Sequence, residues 1–123
     1  MMKIFLVSIG GAFGGAFRYL IANFIQRLFP MSLPIGTLTV NFLGSLILGF
    51  LIFGLDQRNL LSINWKLILA VGFCGSLTTF STFSLETVSL FLESEFLLAT
   101  INILLNLIIT FIAIGFAYFI SRG

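Results

Sequence analysis

"GFCGSLTTFSTFSLE", residues 72–86, loads glycine, serine, threonine and two phenylalanines three apart into a chain that otherwise reads as hydrocarbon, and it ends on a carboxylate. What the stretch means depends on the solvent around it. Of 123 residues, 59% are hydrophobic and 8% charged, whereas a soluble domain carries about 25% charged residues. A hydrocarbon core roughly 30 Å thick takes about 20 mostly apolar residues per helix. Four such spans, at about 4–24, 35–55, 67–92 and 96–120, use nearly the whole sequence and leave no room for a soluble domain. The expected fold is an all-α membrane protein, one domain over residues 1–123.

Outward from the quoted stretch, the punctuation supports these spans. "QRLFPMSLP" (26–34) carries prolines at 30 and 34, which remove amide donors and break the spiral. "DQRNLLSINWK" (56–66) is the one clearly polar loop, with Trp65 and Lys66 placed as interfacial anchors, and "ESE" (93–95) makes a tight turn. The N-terminal Met-Met-Lys and apolar run look like a signal peptide, but Arg18 stands where a cleavage site would be sought. The expectation is a retained first helix.

With four spans, Lys3, Arg58, Lys66 and Arg122 share one side, against Arg27 and the partly embedded Arg18. This weak bias favours cytoplasmic termini, and weakness of that kind is also what a chain inserting both ways, as an antiparallel pair, would show. A net charge of +2 spread over single residues gives no patch for tracking phosphates, so nucleic acid is excluded as a partner. Histidine is absent and Cys74 is alone, which removes the usual metal cluster and any internal disulfide. No nucleophile and base pair is visible, so the chain does not read as an enzyme.

Polar atoms at bilayer depth are costly and face a partner helix or a wet path. In the first span, Gly10 with Gly14 and Gly11 with Gly15 form small-xxx-small pairs that allow close helix approach. The second span places Thr37, Asn41, Gly44 and Ser45 near one face. The fourth places Asn102, Asn106 and Thr110 at spacings of four. Either stripe by itself reads equally as interhelical hydrogen bonding. In the third span, Gly72, Gly75 and the hydroxyl run predict a break in the helix, since irregular backbone at that depth survives only when buried or lining a cavity. Beyond it Thr79, Thr82, Phe83 and Glu86 share a face, with Phe80 beside Phe83. Aromatic ring edges are positive, and amides and hydroxyls donate. Donors without a fixed cation suit a small, hard anion in transit.

"GGAFGGAFRY" (10–19), "GTLTVNFLGSLILG" (36–49) and "GFCGSLTTFSTFSLE" (72–86) resemble the Fluc/CrcB family of bacterial fluoride channels. The likeness rests on motifs in three spans and on spacing alone in the fourth. It implies a passive fluoride channel of the bacterial inner membrane, built as an antiparallel dual-topology homodimer with two pores. Such a channel lowers cytoplasmic fluoride that enters as HF and is trapped by ionisation. Carried over by residue, Asn41 would donate in the pore, and Phe80 and Phe83 would present their edges. Ser81 and Thr82 would join the hydroxyl cluster, and Asn106 and Thr110 the fourth-span track, with Asn102 at its wider, vestibular end. A structural Na+ held by backbone carbonyls would map to Gly75 and Thr78. Arg18 and Glu86 would stand at the aqueous vestibules, or be a snorkelling or paired charge. Two features depart from the family pattern: Gly75-Ser76 in place of two glycines, and two asparagines in the fourth span where hydroxyls are common.

The alternative transport class is a small proton-coupled multidrug or cation exporter, which needs a titratable carboxylate deep in the bundle. The first span has none, and Glu86 is the one candidate. A third reading is an assembly subunit that conducts nothing.

Overall fold

Lys3, Gln26 and Arg27 lie beyond the apolar stretch of the first span, yet the helix runs on through them. The computed structural model, which describes residues 1–122, has α1 at Met2–Leu28, ending where Pro30 comes within two residues. The second helix, α2, covers Ile35–Arg58, and the last covers Phe96–Ser121. Between them lies Ile63–Leu92, also long and apolar enough to span. Its start four residues ahead of expectation has a local cause. The Ser62 hydroxyl accepts the Trp65 backbone N–H at 3.3 Å, which satisfies one of the free amides of the first turn.

Within this third span the backbone is helical over 63–77 (α3), leaves helical geometry at Thr78 (φ −84°, ψ 155°) and resumes at Ser81–Leu92 (α4). The Phe96–Ser121 helix is α5. Phe50–Leu55 and Leu67–Cys74 are wound as wider π-type turns.

The bundle is inside-out relative to a soluble protein. Its sealed interior is mostly small or polar, with Val40, Cys74, Ala99, Ala113, Ala117, Asn41, Asn102 and Asn106, beside three leucines, Leu51, Leu77 and Leu90. Large apolar residues such as Leu92, Phe111 and Phe119 point outward. A patch of that size in water would aggregate, whereas lipid tails solvate it. Small residues let backbones meet. Gly10 and Gly14 lie directly against the carbonyls of Ile68 and Phe73, and a Cβ on Gly72 would stand 2.6 Å from the Val7 carbonyl oxygen. The first-span glycine pair is therefore the seam between α1 and α3. Gly15, by contrast, faces open space.

Two fasteners close the ends. Gln26 donates to the carbonyls of Met31 and Leu33 and accepts the Gly36 N–H at 2.9 Å, which ties the double-proline loop to α1. On the opposite side Lys66 pairs with Asp56 at 2.9 Å, and the Arg58 guanidinium donates to the Ser121 carbonyl at the end of α5. A cation at a helix C-terminus complements the partial negative charge of its free carbonyls.

Candidate functional site

At the non-helical joint the Thr79 N–H would ordinarily close a turn onto the Gly75 carbonyl. It donates instead to Asn41 Oδ1 of α2, at 2.8 Å. That bond fixes the orientation of the Asn41 amide, because the oxygen must face the N–H. Its Nδ2 then donates to Asn106 Oδ1 of α5 at 2.9 Å and, more weakly, to the Thr79 carbonyl at 3.3 Å. Asn106 Nδ2 passes the pattern on to the Asn102 carbonyl and Oδ1, at 2.8 and 3.1 Å. One asparagine on α2 thus joins the joint to the polar stripe of α5.

This arrangement opens into a cleft of about 250 Å³ lined by Asn41, Ser45, Leu48, Thr78, Thr79, Phe80, Phe83, Asn106, Leu107 and Thr110. No lining residue carries a charge. The Phe80 and Phe83 rings lie 5.4 Å apart between centroids and are tilted by 54°. Thr110 directs its hydroxyl back to the Asn106 carbonyl at 2.6 Å. The Thr79 hydroxyl accepts the Thr82 N–H at 3.2 Å and lies 3.3 Å from the Ser81 hydroxyl, so two hydroxyl oxygens meet at the start of α4. The positive end of the α4 dipole falls there as well.

A second cleft, of about 220 Å³, is lined by Arg18, Tyr19, Ala22, Asn23, Thr37, Val40, Thr79, Thr82 and Glu86. It is the charged one. Arg18 Nε and Glu86 Oε1 are both sealed from solvent with no hydrogen-bond partner among the described residues. Buried polar groups normally find partners, so these two atoms stand out as unsatisfied beside the cleft. Thr79 lines both clefts. The joint therefore stands between a charged chamber and a neutral one.

Of the residues singled out in the sequence, the structure brings Asn41, Phe80, Phe83, Asn106 and Thr110 around the neutral cleft, and Arg18, Glu86 and Thr82 around the charged one. Ser81 adjoins both through Thr79. Asn102 is elsewhere: it is 1% exposed and donates to the Thr87 hydroxyl at 2.9 Å, within the contact between α4 and α5. It does not line either cleft. Sequence reasoning did not select Tyr19, Asn23 or Thr87. Asn23 carried a visible signal, an amide five residues beyond Arg18 in an apolar helix; Thr87, next to Glu86, carried none beyond its hydroxyl.

Gly75 and Thr78, the residues implied for a carbonyl-held cation, flank the non-helical joint. Diverting the Thr79 N–H to Asn41 leaves the Gly75 carbonyl without its usual helical donor, and Thr78 is extended. Gly75 is exposed, with open space around it. Unwound backbone carbonyls of interrupted membrane helices are known ligands for Na+.

The family model described as CrcB-like protein, Camphor Resistance (CrcB), matches residues 5–118. Over 107 residues the chain is 47% identical to proteins named Fluoride-specific ion channel FluC from Shewanella baltica and Shewanella oneidensis. The alignment covers 87% of this chain and 86% of each relative. The match takes in all four spans, and the chain belongs to the CrcB family.

Proposed function

We propose that this chain is a fluoride-selective passive channel of the bacterial inner membrane, through which cytoplasmic fluoride leaves the cell. The observation that carries the reading is the cleft of about 250 Å³ at the joint, whose amides, hydroxyls and aromatic rings are all neutral. A bare ion in a membrane costs tens of kcal/mol without replacement ligands. The cleft supplies such ligands while offering no fixed cation to hold the ion in place.

Arg18 would raise the local anion concentration in the charged chamber, with Glu86 tuning its mouth. From there an ion would meet Thr82, Ser81 and the positive end of the α4 dipole, then the neutral cleft. The long 3.3 Å contact from Asn41 Nδ2 to the Thr79 carbonyl is the weakest in the network, so it is the one an anion most readily displaces. Asn41 would then donate to the ion while its 2.9 Å bond to Asn106 holds it in place. Phe80 and Phe83 would turn their positive rims to the ion, and Asn106 and Thr110 would line the way out.

The working form would be an antiparallel, dual-topology homodimer with two pores. Phe80 is 76% exposed on the protomer, so the cleft is open on one side and a second copy would complete its wall. The broken third helices would face one another there. Gly75 and Thr78 carbonyls from both copies would hold a structural Na+, whose charge would offset carbonyls left without donors.

The test is fluoride efflux from proteoliposomes. Phe80→Ile or Phe83→Ile keeps an apolar side chain but removes the ring rim, and each should cut efflux by at least tenfold. Undiminished flux in both variants would refute the assigned pore.

A further inference from the structure

We propose that the buried Asn102–Thr87 pair is a positioning device for Phe83, acting through the α4 backbone. The inference rests on the channel reading for its functional weight, and on the hydrogen bonds for its geometry. Asn102 Nδ2 donates to Thr87 Oγ1 at 2.9 Å, and Thr87 Oγ1 donates to the Phe83 carbonyl at 2.8 Å. Asn102 is 1% and Thr87 6% exposed, so water does not compete at either bond.

The direction of these bonds is fixed. Asn102 Oδ1 accepts from Asn106, which leaves its amide hydrogens for Thr87. The Thr87 hydroxyl, having accepted one hydrogen, places its own on the Phe83 carbonyl. The set runs in one sense from Asn41 through Asn106, Asn102 and Thr87 to Phe83.

The mooring matters because α4 has few fully buried side chains within the protomer. The helix follows the non-helical joint, and of its twelve residues only Thr87 and Leu90 are buried. Four further side chains, Thr82, Phe83, Ser84 and Glu86, are half-buried, so the turn of the helix about its axis is set most firmly by whichever sealed side chain makes a directional contact. Leu90 makes an apolar contact, which tolerates rotation. Thr87 makes the directional one, one turn from Phe83 and on the same side of the helix. Asn102 thus contributes by holding the ring's helix, at a distance from the ion path.

The experiment uses the full-length protein with two readouts. The first is fluoride efflux from proteoliposomes. The second is the ¹⁹F resonance of 4-fluorophenylalanine incorporated at position 83. Thr87→Val, of nearly equal shape but without the hydroxyl, should slow efflux roughly three- to fifteenfold, the range set by one interhelical hydrogen bond in a membrane. It should also shift or split the ¹⁹F line. Thr87→Ser should restore both. Asn102→Leu removes the other partner and should reproduce the effect if Thr87→Val does not fold.

Thr100→Val is the control. Thr100 makes the same kind of bond one turn back, to the Phe96 carbonyl at 2.9 Å, but is exposed and has no clamp, so its loss should move neither readout. A lowered melting temperature with an unchanged ¹⁹F line would reduce the pair to plain structural support and overturn the inference. Wild-type flux in both Thr87→Val and Asn102→Leu would also overturn it while leaving the channel reading intact. If the unaltered protein carried no fluoride, the channel reading would fail, and the ¹⁹F comparison alone would decide the clamp.

Discussion

Gly44→Ala adds one methyl at the crossing of α2 with the joint, and its consequence follows from the packing. A Cβ on Gly44 would meet the Thr78 Cγ2 methyl roughly 1 Å nearer than carbons ordinarily approach, with Leu77 Cδ2 and Thr78 Cβ at 3.6 Å. Turning Thr78 about χ1 would relieve the clash, but it would break the bond from its hydroxyl to the Cys74 carbonyl at 3.0 Å. Moving the Thr78 backbone would pull on the neighbouring Thr79 N–H, held at 2.8 Å by Asn41. The remaining route is for α2 to back away, carrying Asn41 with it. Overpacking of this kind costs about 1–3 kcal/mol, or roughly five- to 150-fold in the population of the native joint. The initial rate of fluoride efflux from proteoliposomes should fall within that range. Thr78→Ser removes the clashing methyl and keeps the hydroxyl, so Gly44→Ala with Thr78→Ser should return to within about threefold of the parent. A parental rate in Gly44→Ala, or a double variant as slow as the single one, would refute the reasoning.

Asn41→Leu deletes the acceptor of the Thr79 N–H and the donor to Asn106; an orphaned buried amide costs about 1–3 kcal/mol. Efflux should fall by at least tenfold, and amide hydrogen exchange at Thr79 should accelerate; unchanged exchange would contradict the assigned bond. Protein prepared and reconstituted with N-methylglucamine in place of sodium should lose flux and recover it on sodium addition. Equal flux in both preparations would remove the proposed structural Na+. Gln26→Ala frees the double-proline loop and deprives the Gly36 N–H of its acceptor. It should lower thermal stability by about 1 kcal/mol with flux within twofold, as measured by melting in detergent and by efflux; loss of flux at unchanged stability would contradict a purely structural fastener.

How much of this was legible depended on whether the signal was local. The four spans could be read because apolar length is summed along the chain, and each is present. Their ends were less accessible: α1 runs past Gln26 and Arg27 because a helix stops where its backbone must, here before Pro30, and not where its side chains turn polar. The start at Ile63 was written in Ser62, a capping residue that apolar counting overlooks. The α5 stripe was legible from its spacing of four, since such residues share a face whatever surrounds them. Its division of labour was not. Asn106 reaches Asn41 across 65 positions of sequence, whereas Asn102, one turn away on the same stripe, is sealed against Thr87. Nothing in the spacing separates the two, because only the crossing of α4 over α5 decides which amide meets open space. The glycine pairs divide for the same reason, Gly10 and Gly14 lying on α3 while Gly15 faces outward.

The central claim is that neutral amides, hydroxyls and ring rims at the joint replace the hydration shell of fluoride and of no larger halide. It is tested most directly by reading fluoride- and chloride-selective electrodes on sealed vesicles that contain the purified protein and both salts. The account predicts that fluoride leaves within seconds to minutes while chloride stays until detergent is added. Release of chloride alongside fluoride, or retention of both, would contradict it.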